Sequence, residues 1–224
     1  MRLSYHVMSA PPPLGLLFLV ASERGLRYLE FLDRRSLKRA IAAHAAANPD
    51  ARWEPSVREL RPLADQLEQY FCGTVRRLDL PLDLEGSPFQ LKVWRELLSI
   101  PYGETRTYGD VAKQIGEPRA ARAVGLAANQ NPIVIVVPCH RVIGADRKLA
   151  GYVGGLPRKK YLLTLEARFR DMLPLEGDRV IAPLAVKVKL PPPAPVRRSG
   201  RSRAPAAAPR RRPRVAAKAA RASR

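Results

Sequence analysis

Apolar positions follow two different periods along this chain, and the change of period divides it. Residues 14–22 and 26–32 are short apolar runs flanking Ser22-Glu23-Arg24-Gly25, and a glycine-bearing connection of that length predicts a β-hairpin. Residues 34–48, rich in Ala, Leu, Ile and Arg, predict a helix that ends near Asn48-Pro49-Asp50. From Val57 to Tyr70 the residues Leu60, Leu63 and Leu67, with Phe71 beyond them, recur at helical spacing and predict a second helix. Residues 77–84 alternate with period two and read as a strand or an extended linker.

After Gly86 the pattern becomes one of short helices and tight turns. Ser87-Pro88 fits a cap followed by proline in the first turn of a helix. That helix runs through Phe89, Val93, Trp94, Leu97 and Leu98 to a stop at Pro101-Tyr102-Gly103. A second spans Tyr108 to Ile115 and ends at Gly116, and an Ala-rich third follows Pro118 and reaches Ala128. Short helix, glycine turn and Ala-rich helix predict a helix-turn-helix. Asn131-Pro132 breaks the pattern, residues 133–137 predict a short buried strand, and a last helix runs from Arg158 to about Arg168. Three segments result: residues 1–84, residues 85–172, and a Pro/Ala/Arg-rich basic tail over 173–224, expected to be disordered for want of apolar surface to bury.

The net charge of +20 changes the picture because of where it lies. Residues 1–178 carry 26 Lys and Arg against 20 Asp and Glu, whereas 179–224 carry 14 basic residues and no acidic one. Such a balance implies a polyanionic partner. The tail has few large apolar side chains to enter a bilayer, so nucleic acid is favoured over a membrane. Two cysteines, Cys72 and Cys139, do not make a disulfide framework and point to a reducing, cytoplasmic setting. The apolar run from Pro13 to Ala21 follows three prolines and lacks a basic cluster upstream, so a buried strand is expected there rather than a signal peptide. No run approaches the length of a membrane-spanning helix.

Pro138-Cys139-His140-Arg141 is the one place where the pattern invites chemistry. A thiolate is the reactive form of cysteine, and a nearby imidazole can take its proton. Residue types alone leave a catalytic thiol and an ordinary buried core cysteine on an equal footing. Adjacent side chains on extended backbone point to opposite sides, so His140 has to act through a bend or a bridging water. It also needs a carboxylate to orient its ring, either Glu166 in the last helix or Asp146 in the intervening loop. The helix-turn-helix just upstream brings a duplex-binding element beside the thiol. It carries Arg122 among small residues and Tyr108 at the start of its first helix.

The run from Pro138 to Gly144, then Gly151-Tyr152 and Gly154-Gly155-Leu156, closely resembles the active-site signature of the O6-alkylguanine-DNA alkyltransferase family. The likeness extends through Phe89-Gln90, Val93-Trp94, residues 100–105, Tyr108-Gly109, residues 121–125, Asn131-Pro132 and Leu162-Leu163, and into the first segment at Pro13-Leu14-Gly15 and residues 67–71. It covers about residues 10–168. The resemblance implies an α/β fold: a small ribonuclease-H-like N-terminal domain and a mostly helical C-terminal domain. It implies single-turnover transfer of an alkyl group from O6-alkylguanine in double-stranded DNA to Cys139. His140 is then the water-bridged base, Glu166 orients it, and Asn131 braces the active-site turn. Tyr108 rotates the nucleotide and contacts its base, and Arg122 fills the vacated stack. Gln90 and Ala121 join the DNA-binding surface, and the backbone at Val142 and Val153 lines the guanine pocket. A monomer is implied, with no cofactor.

Three features depart from the family pattern. Val153 stands where relatives commonly carry a smaller residue, which implies a tighter pocket. Some relatives hold a structural zinc in the first domain, but Cys72, His6 and His44 are too sparse for one here, and no metal is expected. The basic tail also lies outside the pattern and is expected to add sequence-independent DNA affinity. Other readings are a non-catalytic lesion-binding protein, a helix-turn-helix regulator that senses alkylation at Cys139, and a Cys-His hydrolase. The first lacks the acceptor cysteine present here. The second needs a separate activator domain, and the third an oxyanion hole, and neither is visible in the sequence.

Overall fold

The computed structural model describes residues 1–32 and 37–170. The expected disordered tail, 173–224, lies outside the described residues, as do positions 34–36 of the first predicted helix. The described part is mixed α/β, a four-stranded sheet with two helices followed by a helical region.

Strands β1 (Arg2–Ala10), β2 (Gly15–Ser22), β3 (Gly25–Leu32) and β4 (Arg52–Pro55) form the sheet in the order β3-β2-β1-β4. β1 and β3 run antiparallel to β2, and β4 pairs parallel with β1. The predicted hairpin is therefore β2–β3, whereas β1 and β4 were not anticipated. β2 is apolar throughout because both of its faces are covered. Leu17 and Leu19 enter the main core, while Phe18 and Val20 pack with Leu3, Leu32 and Trp53 under helix α1 (Leu37–Ala47). Helix α2 (Val57–Phe71) starts at Ser56, whose hydroxyl accepts from the Glu59 amide, and buries Leu60, Leu63, Leu67 and Tyr70.

In the helical region, α3 (Pro88–Leu98) opens with a reciprocal capping box between Ser87 and Gln90. β5 (Arg106–Thr107) leads into α4 (Tyr108–Gln114), capped in the same way by Thr107 and Asp110. α4 ends at Gly116, whose φ of 77° suits a residue without a side chain. Gly116 N–H donates to Lys113 O and Glu117 N–H to Ala112 O, the bond pair that turns the chain sharply into α5 (Ala121–Asn129). β6 (Val142–Ile143) pairs parallel with β5, and α6 (Leu156–Arg170) closes the described chain.

The predicted strand over 133–137 is instead a buried turn. Val137 N–H donates to Ile133 O, and Ile135 sits at φ 71°, an uncommon conformation for a β-branched residue. Burial of consecutive residues looks the same in sequence whether the backbone is extended or folded on itself. Cys139–Arg141 then form one 3-10 turn rather than extended chain. The open edge of β3 is covered at two points. Leu29 N–H donates to Pro132 O and Leu29 O accepts from Val134 N–H, while Leu26 N–H donates to Pro81 O and Leu26 O accepts from Asp83 N–H. Residues 77–84 are thus mostly an extended linker touching β3 at Leu82. The sheet edge is thereby satisfied, and the turn leading to Cys139 is anchored to it.

Candidate active site

Cys139 lies at the start of the 3-10 turn and is 3% exposed. Asn131, at the end of α5, holds that turn with both ends of its amide. Its Nδ2 donates to Val137 O at 2.7 Å and to Cys139 Sγ at 3.1 Å, and its Oδ1 accepts from Ile133 N–H at 3.0 Å. Burial pushes the Cys139 thiol up to about 11, although the Asn131 bond and the nearby Lys159 ammonium pull it down. The resting sulfur at neutral pH is a protonated thiol.

The next residue points away into a buried charge network. His140 Nε2 lies 2.8 Å from Glu166 Oε1, and both side chains are fully buried. Glu166 also accepts from the Arg141 guanidinium at 2.8–3.2 Å, from the Tyr70 hydroxyl at 2.6 Å and from the Gly103 amide at 3.0 Å. Burial alone raises its carboxyl, but His140 and Arg141 outweigh burial and hold it well below the usual carboxylate range. Burial also lowers His140 more than Glu166 raises it, so the ring is neutral beside an ionised carboxylate. An ionised carboxylate only accepts, so Nε2 carries the ring proton and Nδ1 is left with its lone pair. Nδ1 is buried with no partner among the described residues. The alternative orienter, Asp146, is exposed and faces Lys148 instead.

The other predicted site residues lie on α3, α4, α5, β6 and the loop before α6. Tyr108 is the first residue of α4, and pairing of β5 with β6 brings it beside the Cys139 turn. Its ring packs 3.7 Å from where a Cβ on Gly125 would stand, and its hydroxyl lies 3.4 Å from Ala150 O. Burial, then the charge of Cys139, raise its hydroxyl above the ordinary value. Ala121 opens α5 and Arg122 follows it, exposed, one turn before the exposed Leu126. Gln90 is engaged in capping: its Oε1 accepts from Ser87 N–H at 2.7 Å and its Nε2 donates to Gln130 at 2.9 Å. Val142 is buried in β6, whereas Val153 is 47% exposed. Next to it, Gly154 admits no side chain, because a Cβ would come within 2.6 Å of Phe31.

Three functional residues were missed as such in the sequence. Arg141 also donates to Ile100 O at 2.6 Å, and Tyr70 reaches Glu166 from α2. Lys159, buried on α6, donates to the carbonyls of Val142, Ala150 and Gly151 at 2.5, 2.5 and 3.1 Å and so ties down both ends of the loop over 144–151. Burial lowers its ammonium to about 8. Only a lysine on the face of α6 that also carries Leu162 and Glu166 could have signalled that role. Among the described residues no group of three or more His, Cys, Asp and Glu side chains could hold a metal ion, and no helix is long and apolar enough to cross a membrane.

A buried thiol, a neutral imidazole and an oriented carboxylate meet at the 3-10 turn, following the short helices α3 to α5 in the chain. Residues 88–168 match the DNA-binding domain of 6-O-methylguanine DNA methyltransferase, and residues 4–84 match the ribonuclease-like domain of the same family. The chain belongs to the 6-O-methylguanine DNA methyltransferase family. It is 49% identical to the methylated-DNA–protein-cysteine methyltransferase of Methanosarcina acetivorans over 154 residues, which covers 69% of this chain and 93% of that protein. The O6-methylguanine methyltransferase of Mycobacterium tuberculosis superposes with a TM-score of 0.64 at 44% identity, over 74% of this chain and 93% of that one. A structure of the Mycobacterium tuberculosis protein in complex with DNA matches with a TM-score of 0.62 at 44% identity, over 75% of this chain and 94% of that one.

Proposed function

We propose that this protein repairs DNA by taking the alkyl group of O6-alkylguanine onto Cys139 in one irreversible transfer. The observation that carries the proposal is the buried Cys139 thiol, held by Asn131 beside a neutral His140 whose Nε2 is fixed by Glu166 and whose Nδ1 is open. His140 takes the thiol proton at Nδ1 through a bridging water. The thiolate displaces guanine at the alkyl carbon, so an S–C bond forms as the C–O6 bond breaks. The departing guanine gains a proton, for which the Tyr108 hydroxyl is the candidate donor. The product is a thioether with no bond labile to water, so each molecule acts once.

The substrate base is turned out of the duplex, since O6 in a paired, stacked guanine cannot reach a buried sulfur. We assign α4 and α5 as a helix-turn-helix that presents Ala121 and Arg122 to the minor groove, with Arg122 filling the vacated stack. Tyr108 rotates the nucleotide, Gln90 belongs to the DNA-binding surface, and the main chain at Val142 and Val153 lines the base pocket. Residues 1–84 and 85–172 act as two domains of a cytoplasmic monomer, and the basic tail adds salt-sensitive DNA affinity. A recognition-only role is disfavoured because the acceptor thiol is present.

The test is intact-protein mass spectrometry after incubation with a duplex carrying one O6-methylguanine. The expected result is a gain of one methyl group, confined to the peptide holding Cys139 and saturating at one per molecule. Cys139→Ser should bind the lesion without gaining mass. Lesion binding by the unaltered chain with no mass gain would reduce the protein to a recognition module.

A further inference from the structure

The turn just before α6 is held from behind by the four-stranded sheet. It is closed by Gly155 N–H, which donates to Tyr152 O at 2.9 Å. Val153 is 47% exposed at its tip, whereas Tyr152 and Gly154 on either side of it meet Phe31 of β3. The rings of Phe31 and Tyr152 pack edge to face with centroids 6.1 Å apart. A Cβ on Gly154 would stand 2.6 Å from the Phe31 ring, so that ring fills the space behind the main chain. Arg158, in the first turn of α6, lays its guanidinium 4.7 Å from the centre of the same ring. It also donates from Nε to Leu14 O at 3.1 Å and from Nη1 to Gly154 O at 3.3 Å. Leu14 is fully buried just before β2, so this arginine ties the turn to the sheet.

The same turn stands beside the reactive sulfur. The Tyr152 ring meets His140 edge-on, with centroids 6.5 Å apart and planes at 83°. Burial raises the Tyr152 hydroxyl well above its ordinary value, and the charge of Cys139 adds to that. Lys159 holds the preceding residues, Ala150 and Gly151, so the loop is fixed on both sides of Tyr152. Phe31 and Arg158 bring no reactive group to the site. What they fix is the position of the turn.

We propose that Phe31, clamped by Arg158 against Gly154, is a positioning residue that sets how large an O6-alkyl group the pocket accepts. The inference rests on the alkyl-transfer reading, in which the main chain at Val153 lines the base pocket. With the ring in place the turn has no room to retreat, and a methyl group is held close to the sulfur. Truncating the ring leaves a cavity behind Gly154, into which the turn relaxes only in part. A small substituent then loses the alignment that transfer needs, while a bulky one gains room.

Single-turnover rates on two duplexes that differ only in the lesion, O6-methylguanine or O6-benzylguanine, test it. Phe31→Ala should raise the benzyl-to-methyl rate ratio by about tenfold or more, the scale of one misfitted apolar group in a pocket. Phe31→Leu keeps an apolar side chain on β3 should the alanine variant fail to fold. It and Arg158→Met should each move the ratio in the same direction. Leu63→Ala, a core truncation on α2, is the control for lost stability and should leave the ratio unchanged. An unchanged ratio in the Phe31 and Arg158 variants overturns the proposal, and so does an equal rise in Leu63→Ala. Methyl transfer that persists with an unchanged ratio removes this inference alone. No methyl transfer by the unaltered chain would instead overturn the alkyl-transfer reading, and this inference with it.

Discussion

His140 donates through Nε2 to Glu166 Oε1 at 2.8 Å, which leaves Nδ1 as the ring nitrogen with an open lone pair. The tautomer is thus set by a residue 26 positions away, and Glu166 is held in turn by Arg141, Tyr70 and the Gly103 amide. Glu166→Gln offers Nε2 a weaker, reversible partner and leaves Arg141 buried without its counter-charge. Single-turnover transfer should fall by about 100-fold or more, the range of a lost general base. Stability should fall by about 3–5 kcal/mol, as for a buried ion pair broken on one side. Tyr70→Phe removes one bond to the same carboxylate and should cost about 1 kcal/mol in denaturant while leaving the rate within a few-fold.

The protonation states give a distinct pH signature. At neutral pH the Cys139 thiol, pushed up to about 11, is protonated, and His140, held below its ordinary value, is neutral. Transfer by the unaltered protein should be flat from pH 7 to about 8, where the Lys159 ammonium begins to titrate. On the acid side it should weaken only below the ordinary imidazole value of about 6.5, once Nδ1 is occupied. In His140→Gln the rate should instead climb tenfold per pH unit toward pH 11, following the thiolate fraction. Stability changes at both ends. Below pH 6.5 the unfolded chain binds a proton that folded His140 refuses, so stability declines with acid. Between the ordinary cysteine value of 9.0 and the folded value of about 11, the unfolded thiol loses a proton that the folded thiol keeps, so stability declines with base. Rate profiles and denaturation midpoints across pH 5–11 check both signs.

How much of this was legible before folding depended on range. The reactive pair lay in four adjacent residues, and Ser87 with Gln90 announced their helix start through spacing alone. Tyr70 sat in a helix whose period marked it as core, and nothing local showed that its hydroxyl meets a carboxylate 96 residues later. β1 and β4 were missed because β1 mixes polar and apolar residues and β4 has only four residues. The run over 133–137 predicts a strand, but its geometry as a buried turn depends on Asn131 and on β3, neither of which a run of Ile and Val reveals.

Lys159 gives a third prediction. Its ammonium joins β6 to Ala150 and Gly151, so Lys159→Met strands the buried Val142 carbonyl and removes the bonds to two partly exposed ones. The variant should lose roughly 2–4 kcal/mol, as expected for an unsatisfied buried acceptor and two lost bonds. Removing this positive charge should also raise the Cys139 thiol further, because Lys159 is one of the groups that lowers it. Thermal melts read the first effect and thiol alkylation by a small reagent across pH reads the second. An unchanged thiol titration would show that Lys159 acts on the loop alone.

The last prediction concerns the basic tail. Residues 179–224 carry 14 basic side chains and no acidic one, against a near-balanced body. Each phosphate neutralised on duplex DNA adds about 0.9 to the slope of log affinity against log salt. Deleting 179–224 should therefore make that slope shallower by several units on undamaged duplex and weaken binding most at low salt. Arg122→Ala should leave the slope changed by no more than about one unit. It should instead lower affinity for the lesion relative to undamaged DNA, since a side chain placed in the stack acts only when a base has left it. Fluorescence anisotropy over a salt series, with lesion and control duplexes side by side, separates the two contributions. Equal slopes for the full and shortened chains would assign the DNA affinity to the folded body alone.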